Sequence, residues 1–293
     1  MRSNFADTGK ILSSSEGTVP HRPIVTLTTD FGTNDHFVGA VKGVILDIVP
    51  EAAIVDISHA VQAFDVLDGA LTISQAYSYF PTGTVHMVVV DPGVGTARRP
   101  ILASSDGYHF VAPDNGVLSM VYAREERMHV RHITSDHYFR QPVSNTFHAR
   151  DVFAPVSGYL AKMVDSHKFG DEIEDYVRFA APKPKAAGDN KIRGVVLKVD
   201  RFGNLITNVT PEDAPALFAP NAAFKIVVGS KEISDIRTAY AEGTPGEVFA
   251  VLGSMGYLEI VANRAAAAQL TGAGKGSEVS IVLGEGAAAG KGA

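Results

Sequence analysis

The chain has 293 residues, 45% of them hydrophobic and 20% charged, with 32 acidic against 26 basic side chains and a formal net charge of −6. No basic stripe is left over to neutralise phosphates, which argues against a nucleic-acid binder, and the absence of cysteine excludes disulfides, thiolate catalysis and cysteine-ligated zinc. No apolar run approaches the roughly eighteen residues of a membrane span, and residues 1–22 lack the basic start and apolar core of a signal peptide, so a soluble cytoplasmic protein with a loose N-terminal arm is expected.

In chain order, Ile24 to Thr29 (IVTLTT) is β-branched and predicts a strand ending at Asp30-Phe31-Gly32. Phe37, Val41, Val44, Ile45 and Ile48 then recur at helical spacing, with Thr33, Asn34 and Asp35 as cap candidates and Pro50 beyond the end. Ile54 to Ile57 predicts a short strand and Leu67 to Tyr79 a second helix. Val85 to Val90 (VHMVVV) is almost wholly apolar, as a strand covered on both faces is. This alternation predicts a mainly parallel sheet with helices on its faces. Asp106-Gly107, between two apolar runs, predicts a hairpin, and Val152 to Met163 another helix. Ala181 to Asn190 (APKPKAAGDN) reads as a linker, and the short apolar runs beyond it suit a small β-barrel or sandwich. The expected organisation is an arm over 1–22, an α/β domain over 23–180, a linker over 181–191, a smaller all-β barrel domain over 192–285 and a flexible tail over 286–293.

Two phosphate-binding patterns fail. Gly272 to Ser277 (GAGKGS) has Gly276 where a P-loop needs Ser or Thr, and it precedes a strand, so a hairpin loop is expected there. Gly93-Val94-Gly95 has Arg98 where a dinucleotide fingerprint needs a small residue. The acids are more informative. Asp30, Asp56 and Asp91 fall at or near the carboxyl ends of predicted parallel strands, where open α/β sheets bind ligands. One such acid is an ordinary turn former; three suggest a pocket for ribose hydroxyls, a metal or a cationic substrate.

Within VVVDPGVGTARR, Arg98 can fold back towards Asp91 around a glycine loop. His148, in NTFHARDVF, is structural if it stands alone; if it converges with Asp91 and Arg98, the three can orient and deprotonate a water. A metal site drawn from Asp30, Asp56, His59, Asp91 and His148 lacks any tight ligand spacing, so no metal is expected. Asp200 to Asn208 (DRFGNLITN) reads either as an Asx turn or as a purine site, with Phe202 stacking and Asn204 pairing with the base edge.

Taken together, TTDFGTNDHFVGAVKGVI, VDPGVGTARR, PDNGVLS, TFHARDVFAP, DRFGNLITN and GSMGYLEIVANR resemble the S-adenosylmethionine hydroxide adenosyltransferases, relatives of fluorinase and chlorinase, in order from about Ile24 to Leu283. The resemblance implies an α/β domain joined to a C-terminal β-barrel, in a homotrimer whose active sites lie between neighbouring subunits. It implies attack of water or hydroxide on C5′ of S-adenosyl-L-methionine, giving adenosine and L-methionine with no cofactor. Asp91, Arg98 and His148 match the trio that handles the water, and Asp30 the acid that holds the ribose hydroxyls. Phe64 falls at an aromatic position against the ribose. Asp200 matches an acid on the methionine amino group, and Phe202, Asn204, Ser254, Met255 and Tyr257 match the adenine side.

The chemistry implied is consistent with these side chains. A neutral thioether leaves from a sulfonium and needs no general acid, so the difficulty lies with water, whose pKa is about 15.7. Arg98 favours hydroxide, and Asp91 or His148 can take the proton. The halogenases resembled here hold halide in a largely uncharged cage, where this chain has Asp91, Val94 and Ala149. A carboxylate repels halide, so hydrolysis is expected over halogenation, with a non-catalytic adenosine or S-adenosylmethionine binder as a further alternative.

Overall fold

In the computed structural model, which describes residues 22–284, the N-terminal half follows the predicted alternation of strand and helix. β1 (Ile24–Thr29), α1 (Phe37–Ile48), β2 (Ala53–Ser58), α2 (Val66–Ala76) and β3 (Val85–Val89) lead into the hairpin β4 (Pro100–Ser104) and β5 (His109–Pro113). The short α3 (Ser119–Tyr122), β6 (His129–His132) and α4 (Ala154–Ala161) complete this half. The six strands form one sheet in the order β2-β1-β3-β5-β4-β6. β2, β1, β3 and β5 pair in parallel, while β4 pairs antiparallel with β5 and β6.

Period-two alternation splits the sheet between two cores. Val85, Met87 and Val89 of β3 pack with Val41 and Ile45 of α1 and Val156 and Leu160 of α4. Val88 joins Ile73 of α2 and Phe110 of β5 on the other face. With both faces covered, every residue of β3 is buried, including His86, which bonds Thr26 Oγ1 at 2.7 Å. Burying each such aliphatic side chain contributes roughly 1.5–3 kcal/mol, which holds the carboxyl end of β3 rigidly in place.

The C-terminal half comprises β7 (Lys185–Ala186), β8 (Lys191–Val199), β9 (Leu205–Thr207), β10 (Phe224–Val228), β11 (Lys231–Ile233), β12 (Ile236–Arg237), β13 (Val248–Leu252), β14 (Leu258–Ala262), α5 (Ala267–Thr271) and β15 (Glu278–Leu283). They form a nine-stranded sheet in the order β11-β10-β15-β8-β9-β14-β13-β12, with β7 added beside β8. The sheet curls so that β11 approaches β13 around Val196, Ile226, Ile260 and Ile281. Its order ends on β11 and β12, so the expected barrel takes the form of a half-barrel. Leu197 of β8 packs against Ala70 and Leu71 of α2, which docks the two halves of the chain.

Several local expectations are corrected. Asp56 lies inside β2, on the sheet edge, rather than at a strand end. None of Thr33, Asn34 or Asp35 caps α1, whose N-cap is His36 without a side-chain bond. Gly272 to Ser277 joins α5 to β15 and is not a hairpin loop. The stretch read as linker contributes β7 to the sheet. The arm expected over 1–22, apart from Arg22, and the tail over 286–293 lie outside the described residues. No helix among the described residues is long and apolar enough to cross a membrane.

Candidate active site

Once β3 ends, the chain turns through Gly95, which adopts φ +77° and lies so close to the Asn145 carbonyl that no Cβ would fit. That contact seats the 91–98 loop against the segment carrying His148. Arg98 Nε donates to both carboxylate oxygens of Asp91 at 3.0 Å, and Nη2 bonds Asp91 Oδ2 and meets His148 Nδ1 at 2.9 Å. The side chains of Arg98 and Asp91 are only 9% and 5% exposed, so each charge compensates the other away from water. The guanidinium also lies 5.1 Å from the centre of the Phe153 ring.

His148 stands immediately before a π-helical turn, Ala149–Phe153, that runs into α4. Single π turns of this kind re-aim side chains and are frequent at functional sites. Fully buried Asp151, inside this turn, accepts the Ser144 N–H at 2.9 Å and the Arg150 Nε at 2.7 Å, fixing the segment before His148. Burial, and then the Arg98 charge, hold His148 below its ordinary value of 6.5 against the opposing pull of Asp91 and Asp151.

Asp30, Phe64, Asp91 and His148 come together around one cavity of about 270 Å³. Val94 and Ala149 line it too, as do three rings, Phe31, Phe37 and Phe147. Arg98 is not on its wall; it sits behind Asp91 and His148 and reaches the cavity only through them. Asp30 Oδ2 accepts the Phe64 N–H at 2.9 Å. Phe64 adopts φ +66° and is 74% exposed, an uncommon backbone and an uncommon exposure for a phenylalanine.

A second pocket, of about 580 Å³, gathers Asp200, Phe202 and Asn204 with Tyr240 and Arg264. The Asp200 carboxylate accepts the Phe202 N–H at 2.9 Å, the Asn204 N–H at 2.8 Å and Asn204 Nδ2 at 2.9 Å. The Asx-turn reading of this segment is therefore realised, and the amide nitrogen of Asn204 is committed to it. Ser254, Met255 and Tyr257 do not join this pocket: their turn lies at the opposite end of the β13–β14 hairpin, and Tyr257 packs near Leu197 and Ala70. No residue lines both pockets, although Asp200 also lines a third cavity, of about 540 Å³, with Gln62 and Asp65 of the turn that carries Phe64.

Asp56 is absent from the first cavity, being paired with Lys42 at 2.6 Å and His59 at 3.1 Å. Among the described residues no three His, Asp or Glu side chains are grouped to hold a metal ion. Sequence reasoning missed the three-ring wall, although Phe31 and Phe147 directly follow Asp30 and precede His148; Phe37 fits the apolar stripe of α1 and so reads as core. It also missed Tyr240, which lies in a loop without a pattern, and Glu259, 6% exposed on β14. Burial, then the charge of Asp200, raises the Glu259 carboxyl above its usual range.

The family described as SAM hydroxide adenosyltransferase matches through its N-terminal domain over residues 25–170 and its C-terminal domain over residues 194–280. The chain is 34% identical to a protein of Thermus thermophilus named (R)-S-adenosyl-L-methionine hydrolase, over 89% of this chain and 100% of the relative. A protein of the same name from Methanocaldococcus jannaschii is 36% identical over 69% of this chain and 73% of its own. A fluorinase from Nocardia brasiliensis is 29% identical over 90% of this chain and 98% of its own. A crystal structure of an uncharacterized conserved protein from Thermotoga maritima superposes with TM-score 0.81 at 35% identity, over 88% of this chain and 99% of that one. Matched in order by both domains over most of its length, the chain belongs to the SAM hydroxide adenosyltransferase family.

Proposed function

We propose that the protein hydrolyses S-adenosyl-L-methionine at C5′ to adenosine and L-methionine. The observation that carries this reading is the Asp91–Arg98–His148 cluster, whose Asp91 and His148 open onto a cavity walled by Asp30, Thr146 and otherwise apolar side chains. The names of the hydrolase relatives support it, and their (R) prefix extends the proposal to that sulfonium configuration.

In this reaction the oxygen of a bound water forms a bond to C5′ as the C5′–S bond breaks, and the bonding pair leaves with sulfur as a neutral thioether. The water gives its proton to Asp91. Arg98 has donors and no acceptor, so His148 Nδ1 faces it as a lone pair, and neutral His148 carries its proton on Nε2. That makes His148 a donor that orients the water and leaves Asp91, with lone pairs to spare, as the base. Asp30 holds the ribose hydroxyls and Phe64 packs against the sugar. Asp200 takes the methionine ammonium, Phe202 stacks on adenine, and Asn204 offers its oxygen to the exocyclic amine. Ser254, Met255 and Tyr257 complete the adenine side.

The proposal includes a homotrimer in which residues 23–180 of one subunit meet residues 192–285 of the next, the half-barrel forming the family's barrel domain. That arrangement is supported by two half-pockets that share no residue, each exposing a phenylalanine, Phe64 at 74% and Phe202 at 77%. The reaction requires neither metal nor cofactor, because a neutral leaving group needs no Lewis acid and Arg98 supplies the positive charge. The enzyme works in the cytoplasm. Incubation with S-adenosyl-L-methionine and chromatography yields adenosine and methionine in equal amounts; absence of adenosine overturns the proposal. Added chloride or fluoride yields no 5′-halo-adenosine, because Asp91 stands where the anion would have to sit.

A further inference from the structure

Phe64 raises a question the reaction alone does not answer: what keeps a non-glycine residue at φ +66° on an exposed turn? Such a conformation persists only where its surroundings over-determine it. Here the turn Val61–Asp65 is held at four points. The Val61 N–H donates to the Thr29 carbonyl at 3.4 Å, and the Gln62 N–H donates to Asp68 Oδ2 at 2.8 Å. The Phe64 N–H donates to Asp30 Oδ2, and Asp65 caps α2 by accepting the Asp68 N–H at 3.1 Å.

Two of these anchors are themselves held from the other half of the chain. Lys198 Nζ, on β8, lies 2.5 Å from Asp68 Oδ1 and donates to Thr72 Oγ1 at 3.1 Å. Lys275 pairs with Asp65. The Lys198 pair is the more protected, with the Asp68 side chain 8% exposed and Lys198 29% exposed beside buried Leu197. Asp68 thus carries two loads on one carboxylate: Oδ1 takes a charge from β8, and Oδ2 pins the turn that carries Phe64.

We propose that Lys198 is a positioning residue: through Asp68 it holds the 61–65 turn, and with it Phe64 and the Asp30 carboxylate, in the geometry that receives the ribose. This rests on the hydrolase reading for its kinetic consequence but not for its structural one. Asp30 and Phe64 touch the sugar alike in the ground and transition states, so loosening them weakens binding rather than the chemical step.

The chain contains no tryptophan, so Phe64→Trp supplies a single fluorescent reporter in the turn. In that background Lys198→Met lowers the anisotropy of the reporter and increases its quenching by acrylamide, and Lys198→Arg restores both. In the otherwise native protein, Lys198→Met raises KM for S-adenosyl-L-methionine roughly tenfold with kcat changed far less, and Lys198→Arg recovers KM. If Lys198→Met does not fold, Asp68→Asn makes the same test, since it removes the charge that Lys198 meets. A fall in melting temperature with anisotropy and KM unchanged overturns the proposal and leaves Lys198 as a plain interdomain strut. A native protein that forms no adenosine overturns the hydrolase reading instead, and the anisotropy still decides the role of Lys198.

Discussion

Arg98 reaches two partners with donors alone, and this orders the roles around Asp91. A carboxylate keeps lone pairs after accepting a guanidinium, whereas an imidazole nitrogen has only one, and that of Nδ1 is used. Asp91→Asn keeps the size and one acceptor for Arg98 but removes the proton acceptor. It lowers kcat roughly 10²–10⁴-fold while KM stays near the native value, as initial rates of adenosine release will show. An equal loss in both would make Asp91 a binding group. His148 gives an independent check through pH. Its charged form is disfavoured by burial and by Arg98, so it stays neutral in the folded protein where an ordinary histidine is protonated. Protonation would put a hydrogen on Nδ1 facing Arg98, so turnover is full above the folded pKa and is lost as pH falls through it, below 6.5. The pH profile of kcat/KM should show that limb in the native enzyme and lack it in His148→Gln; a limb centred at or above 6.5 contradicts the assignment.

At the scale of elements, the site depends on one loop resting on another. Gly95→Ala combines a positive φ with a clash against the Asn145 carbonyl, costing more than about 1 kcal/mol and parting Asp91 and Arg98 from His148. Gly93 has no positive φ, and a Cβ there makes only ordinary contact, nearest to Arg98 Cγ at 3.5 Å. Thermal melts and kcat should therefore both fall further for Gly95→Ala than for Gly93→Ala; similar losses would mean the loop contact does not set the geometry. Much of this layer is legible from sequence because local pattern decides it. The almost wholly apolar run of β3 announces a strand covered twice, and Asp91 follows from where that run stops. Asp106-Gly107 announces the hairpin between β4 and β5. Where long-range packing decides, the pattern is silent. Asp56 looks like Asp30 and Asp91 in sequence, yet β2 is the sheet edge and turns it to Lys42 and His59. That Arg98 folds back to Asp91 is suggested by the loop, but its packing against Phe153, off the cavity wall, is not. The clamp of Lys198 on Asp68 joins residues 130 positions apart, through a domain contact that no periodicity encodes.

For the whole molecule, the decisive property is that one chain carries two pockets with no lining residue in common. If neighbouring copies complete them, a cavity bearing Asp91 works only when a neighbour supplies Asp200 and Phe202. Two variants that damage opposite halves, Asp91→Asn and Phe202→Ala, are then each nearly inactive alone. Mixed during folding in equal amounts, they recover activity, because some interfaces pair an intact cavity from the second variant with an intact half-barrel from the first. Random assembly makes each such requirement an even chance, so about one quarter of the sites are whole, and the mixture shows about one quarter of native turnover. Mixing the purified variants without unfolding should give less, to the extent that subunits exchange slowly. A site completed within one chain gives no recovery under either protocol, since every chain would carry its own lesion. Sedimentation of the active fraction at three times the 31.0 kDa chain mass identifies the assembly as the trimer.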